Sequence, residues 1–169
     1  PALARKRYRK LVDKQDRFME LSEKDGYNFY TDGEDKSCGI IVSGIAYNYL
    51  MENYPDRKVP YPVLHIGQYP VPEKLIRKMD EETDEFLVIE EGYPLIEEQL
   101  KGILSKGISV KGRLDGTLPR TGELNPNIVA KALGKENTFG EEVPGFIASR
   151  PPELCKGCPH IDTYNALND

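Results

Sequence analysis

CGIIVSGIAYNYLMEN, residues 38–53, is the stretch that decides the fold. Gly39-Ile40-Ile41-Val42 is a short unbroken apolar run, the pattern of a strand covered on both faces, and Ser43-Gly44 closes it. The period then changes to that of a helix. Ile45, Ala46, Tyr49 and Leu50 recur at helical spacing, which predicts a helix through Tyr54 that buries all four. A buried strand feeding into a helix is half of a βαβ unit, and the unit repeats downstream.

Pro62-Val63-Leu64-His65-Ile66-Gly67 reads as the next strand, and Pro72 sits at the first position of a helix with apolar face Leu75, Ile76 and Met79. Phe86-Leu87-Val88-Ile89 is a third buried strand. Gly92 and Pro94 open a helix carrying Leu95, Ile96, Leu100, Ile103 and Leu104, and residues 108–114 form a last, weaker strand. Asn125 is an N-cap before Pro126, the buried face is Ile128, Val129, Ala132 and Leu133, and Gly134 stops the helix. Upstream, residues 27–31 alternate as an edge strand does, before the turn at Asp32-Gly33-Glu34-Asp35. Strands alternating with helices predict an α/β, three-layer fold: a mostly parallel sheet, both faces covered, with right-handed crossovers. Strand order is not contained in the pattern.

The opening segment, residues 4–23, is expected to be one polar helix. Leu3, Tyr8, Leu11, Val12, Phe18, Met19 and Leu21 are too sparse for a central core helix, so it should lie on a surface or bridge to another domain. Arg5, Lys6, Arg7, Arg9 and Lys10 crowd into it. Without an aromatic stacking platform, and with a net charge of −5, this is a solvated or docking face rather than a nucleic-acid site. No apolar run approaches a membrane span. Three cysteines make no disulfide framework and fit a reducing cytoplasm, with Cys38 a small core residue. The chain is expected to be an internal piece of a longer protein.

Candidate chemistry gathers at the carboxyl ends of the strands, where open parallel sheets bind ligands. Those ends carry Ser43-Gly44, Gly67-Gln68-Tyr69 and Glu90-Glu91-Gly92. Two adjacent carboxylates suit a metal or an acid/base pair. Acids just before a helix more often cap its amides and offset its dipole, and that reading is preferred. His65, inside an apolar strand, is expected to be a hydrogen-bonded core or partner-facing residue. The long loop 113–123, with Arg120 beside Thr121-Gly122, has the length of an interface or binding loop. Cys155-Lys156-Gly157-Cys158-Pro159-His160 has the spacing of a zinc or iron–sulfur ligand loop, but no second Cys or His pair completes four ligands, so no complete metal site is expected. No catalytic residue is assigned.

Five blocks carry a resemblance: CGIIVSGIAYNYLMEN (38–53), PVLHIGQYPVPEKLIRK (62–78), EFLVIEEGYPLIEEQLK (85–101), LPRTGELNPNIVAKAL (118–133) and RPPELCKGCPH (150–160). In order and spacing they resemble the alpha subunits of indolepyruvate ferredoxin oxidoreductases, in the superfamily of thiamine-dependent 2-oxoacid:ferredoxin oxidoreductases. PALARKRYRKLVDKQDRF (1–18) is similar to the segment that follows their first thiamine-type domain. The resemblance implies residues 1–25 as a linking helix and 26–135 as a middle domain like the C-terminal domain of transketolase, with a five-stranded sheet and one antiparallel strand. It implies residues 136–153 as a linker and 154–169 as the start of a diphosphate-binding thiamine domain. In the full-length parent it implies thiamine diphosphate, magnesium and 4Fe-4S clusters, a smaller beta subunit, ferredoxin, coenzyme A and an aryl 2-oxoacid that is oxidatively decarboxylated. No nucleic acid or membrane partner is implied, and this segment by itself is expected to be an inactive interface domain. Gly157, Cys158, Pro159 and His160 match the family loop that enters the thiamine diphosphate site; Lys156 stands where many relatives carry proline. Two other readings remain open: a free-standing α/β module holding a small anion over Ser43-Gly44 and residues 90–92, and a zinc-linked RNA-binding protein.

Overall fold

A computed structural model describes residues 2–100, 102–104, 107–136, 144–146 and 153–168. The chain separates into two compact units, Pro1–Phe139 and Gly140–Asp169. The first holds five strands: β1 (Phe29–Thr31), β2 (Gly39–Ser43), β3 (Val63–Ile66), β4 (Glu85–Ile89) and β5 (Ser109–Lys111). They form one sheet in the order β1-β3-β2-β4-β5, with β1 antiparallel to β3 and every other pair parallel.

The register explains the layers. In β2 the side chains alternate, so Ile40 and Val42 enter one core and Ile41 the other; in β4, Leu87 and Ile89 oppose Phe86 and Val88 in the same way. Over the first face lie α3 (Ala46–Glu52) and α6 (Pro126–Ala132), contributing Ala46, Leu50 and Val129. Over the second lie α4 (Glu73–Glu82) and α5 (Leu95–Leu100), contributing Ile76, Met79, Ile96 and Leu100. The result is a three-layer α/β/α fold of mostly parallel strands with one antiparallel strand. Asn53 ties the two helices of the first face, its Nδ2 donating to the Pro126 carbonyl at 3.0 Å. Asn125 caps α6, its Oδ1 accepting from the Ile128 N–H at 3.0 Å.

Three expectations are corrected. The opening segment is two helices, α1 (Ala2–Val12) and α2 (Gln15–Lys24). At the break the Lys14 N–H donates to Leu11 rather than to Lys10, a tightened last turn. Of the two, α2 is held to α4, with Lys74 Nζ 2.7 Å from Glu23 Oε2. Ile45 is 50% exposed rather than buried, because it precedes the first helical turn and the inward face of α3 falls to Ala46 and Leu50, four residues apart. Leu95 is likewise exposed: α5 has only six residues, and Ile96 and Leu100 take its inward face. The second unit contains α7 (His160–Asn168). Much of the expected linker, with Arg150, Pro151 and Pro152, lies outside the described residues. No helix among the described residues is long and apolar enough to cross a membrane.

Candidate functional site

Chain leaving β2 packs on one face of the sheet and chain leaving β4 on the other, although the two strands are neighbours. The switch point of the sheet therefore lies beyond Ser43 and Ile89, the position at which open α/β sheets make their crevice. Two of the three sequence candidates, Ser43-Gly44 and Glu90-Glu91, meet there.

The acid pair is consumed by structure. Glu90 is 3% exposed. Its Oε2 accepts from the Ile96 N–H and its Oε1 from the Glu97 N–H, both at 3.0 Å, so it caps the first turn of α5. Burial pushes its carboxyl above the ordinary range, against the lowering effect of those amides. Glu91 turns the other way. Its Oε1 accepts from the Leu124 N–H at 2.9 Å and its Oε2 lies 3.3 Å from Arg113 Nη2. With both carboxylates turned onto protein donors, the pair is a cap and a loop anchor. It is not an acid/base couple.

Arg113 is the centre of this network, and sequence reading missed it. It is 2% exposed. Its Nε donates to the Glu90 carbonyl at 2.9 Å and its Nη1 to the Pro119 carbonyl at 2.7 Å, with longer contacts from both terminal nitrogens to the Gly122 carbonyl. Its backbone N–H, and that of Leu114, donate to the buried Glu97 carboxylate at 2.9 and 3.0 Å. The loop 113–123 is thus folded over the strand ends, further pinned by Leu118 and Leu124 in the first-face core. Around this knot Tyr69 and Tyr93 remain exposed. Burial and the nearby Glu90 carboxylate push the Tyr69 phenol up, while the Arg120 guanidinium lies 5.5 Å from the Tyr93 ring centre.

His65 lacks, at one ring nitrogen, the hydrogen bond expected of a core histidine. Its ring stacks on Phe29 at 4.7 Å and meets the Tyr47 edge at 4.9 Å, and its buried Nδ1 has no hydrogen-bond partner. It is held by aromatic contact. The buried polar residue that does organise this side is Asn28, which sequence reading also passed over. Its Nδ2 donates to the Ser22 and Gln68 carbonyls at 2.7 and 3.1 Å, and its Oδ1 accepts from the Gly67 and Gln68 N–H groups at 2.8 and 3.0 Å.

In the second unit, Cys155 to Cys158 form a turn closed by the Cys158 N–H donating to the Cys155 carbonyl at 2.9 Å. Cys158 Sγ lies 3.2 Å from His160 Nδ1, and α7 starts at that histidine. Gly157, Pro159 and His160 are exposed and Cys158 is half-buried. Among the described residues, no group of three or more His, Cys, Asp or Glu is arranged to hold a metal ion. In the first unit, α1 presents Arg5, Lys6, Arg7, Arg9 and Lys10 to solvent together with Leu3, Tyr8, Leu11 and Val12.

Comparison with known proteins gives a consistent result. The chain is 35% identical over 177 residues to indolepyruvate oxidoreductase subunit IorA of Methanothermobacter thermautotrophicus. It is 32% identical over 182 residues to that of Pyrococcus abyssi and 31% identical over 183 residues to that of Archaeoglobus fulgidus. Each alignment takes in 99% of this chain and 28% of the relative, so the chain spans little more than a quarter of the length of the curated proteins it matches. No family model matches the chain, and no solved structure does.

Proposed function

We propose that this chain, which belongs by sequence to the IorA family of indolepyruvate oxidoreductase subunits, is a scaffold domain of such a subunit and does no chemistry in its first unit. The observation that carries this reading is the knot at the switch point. The crevice that would hold a ligand is closed by Glu90, Glu91, Glu97 and Arg113, each turned onto protein partners. The reaction of the parent is oxidative decarboxylation of an aryl 2-oxoacid such as indolepyruvate, with ferredoxin as electron acceptor, coenzyme A as acyl acceptor and a smaller beta subunit completing the enzyme.

Of the parent's groups, an iron–sulfur cluster does not fit the described residues, which contain no three-ligand group. Thiamine diphosphate fits better, at the edge rather than in the domain. Gly157, Cys158, Pro159 and His160 form an accessible turn ahead of a helix, and they would line the cofactor in the parent. The cofactor, held with magnesium, supplies carbanion stabilisation; the turn would supply surface and polar atoms beside it. The cytoplasm is the proposed compartment, as the thiols of the chain suggest.

The purified chain is expected to fold, to give no reduction of ferredoxin with indolepyruvate and coenzyme A, and to hold no iron. Turnover by the chain alone would refute the scaffold role. In the full subunit, His160→Ala should weaken thiamine diphosphate binding measured by calorimetry, and unchanged binding would remove the turn from the cofactor site.

A further inference from the structure

The amino ends of the strands are built differently from the closed carboxyl ends. β4 and β5 pair in parallel, with Glu85 opposite Ser109 and Leu87 opposite Lys111. Leu87 enters the first-face core, so Lys111, its partner, and Glu85, two residues before it, project on that same face. α6 covers this face for only seven residues before Gly134, with φ of 68°, ends it. At its end lies a cavity of about 270 Å³, whose lining includes Cys38, Tyr61, Glu85, Leu87, Lys111 and Leu133. That is just below the ~300–1,000 Å³ of drug-sized pockets, which suits a smaller metabolite. The lining is one ion pair set among neutral groups. Lys111 Nζ lies 2.7 Å from Glu85 Oε1, the two side chains being 43% and 29% exposed. Burial, then the Glu85 carboxylate, pushes the Cys38 thiol up to about 11. Burial raises the Tyr61 phenol as well, so both groups stay uncharged.

We infer that this cavity binds a free α-amino acid with an apolar side chain, its carboxylate on Lys111 and its ammonium on Glu85. An α-amino acid holds its two charges about 3 Å apart by covalent geometry, a spacing that matches the Lys111–Glu85 pair. The four charges then alternate in a square, each beside two of opposite sign. The Lys111–Glu85 bond takes one of three ammonium hydrogens and one carboxylate oxygen, so the pair receives the ligand without separating. A ligand with a single charge gains one member of the pair and is repelled by the other, which sets the specificity. The apolar side chain lies along Leu87 and Leu133, with the neutral Tyr61 phenol and Cys38 thiol in the same wall. The site uses neither the switch point nor the proposed parent reaction, so it stands or falls separately from them.

The experiment titrates the full chain with L-leucine and L-phenylalanine by calorimetry and follows backbone amide shifts by nuclear magnetic resonance. The controls are 4-methylpentanoate and 3-methylbutylamine, which are leucine without its ammonium and without its carboxylate. The expected result is a saturable heat for the amino acids, at least about tenfold tighter than for either control. The shifts should centre on Ser37, Cys38, Leu87, Lys111 and Leu133. Lys111→Glu and Glu85→Lys should each weaken binding by at least about tenfold. The double variant restores the pair with its ends exchanged, and the ligand can turn round, so binding should return to within about threefold. Circular dichroism checks the folding of all three. Flat traces to about 10 mM, controls that bind as tightly as the amino acids, or shifts confined to other residues would each overturn the site. A folded double variant that binds no better than the single ones would overturn recognition by the ion pair.

Discussion

Arg113→Met is the most severe single test of the closed switch point. Methionine keeps an unbranched apolar stem in a site that is 2% exposed and deletes the guanidinium. Three carbonyls lose a donor, those of Glu90, Pro119 and Gly122, and Glu91 loses its cation. The losses are unequal. The Glu90 carbonyl belongs to a buried residue and bears a full desolvation penalty, about 1–3 kcal/mol. Pro119 and Gly122 are exposed residues that water can reach, and the Glu91 side chain is 29% exposed, so each of these adds a fraction. The sum is about 3 kcal/mol, the lower end for breaking a buried charged network. Arg113→Lys keeps the charge, but one ammonium cannot reach carbonyls on both sides, so about 2 kcal/mol should still be lost. Urea unfolding followed by circular dichroism reads both, and melting should fall by about 2–4 °C for each kcal/mol in a chain of this size. A loss under about 1 kcal/mol in Arg113→Met, or a lysine variant as stable as wild type, would refute the claim that this guanidinium closes the crevice.

Three other perturbations probe separate parts of the fold. Burial holds the Glu90 carboxyl above its ordinary value of 4.5, so as pH rises through that window the folded chain keeps a proton that the unfolded chain has lost. The stability tied to the protonated group is complete below the ordinary value and falls as pH rises. The stability gap between wild type and Glu90→Gln should therefore be wider near about pH 4 than near about pH 7 in paired urea titrations, and a constant gap would contradict it. Asn28→Ala removes four hydrogen bonds that join α2, the chain entering β1 and the chain leaving β3; about 2–3 kcal/mol should be lost, with proteolysis near residues 22–28 accelerated. Gly33→Ala would place a Cβ 2.1 Å from the Tyr61 carbonyl carbon and 2.5 Å from the Pro60 carbonyl oxygen. Both are backbone atoms that cannot rotate aside, so calorimetry should show about 1–3 kcal/mol of destabilisation, and a neutral variant would mean that the turn opens freely.

The alternation of Gly39–Val42, Val63–Ile66 and Phe86–Ile89 with helical periods was enough to determine an α/β sheet covered on both faces. A run that is apolar at every position can be satisfied only by burial on two sides. The caps were equally legible, because Asn125-Pro126 acts within four residues. The Cys-x-x-Cys turn was visible for the same reason, and so was the likeness to a family, which is carried by contiguous blocks. What the tertiary structure decided are the contacts that join distant residues. The order β1-β3-β2-β4-β5 places β2 between β3 and β4 and so creates the switch point, and no local pattern encodes which strand lies beside which. Ile45 and Leu95 looked like core by period, yet they face solvent because short helices have one inward stripe that neighbours already fill. Glu90 reads locally as a helix cap and is one; Glu91, its twin in sequence, anchors a loop through Arg113 and Leu124, at separations of 22 and 33 residues. An arginine just past a strand has every local mark of a surface residue. It is buried because the chain returns over it with carbonyls turned inward, and its charge is tolerated there only once those partners are in place.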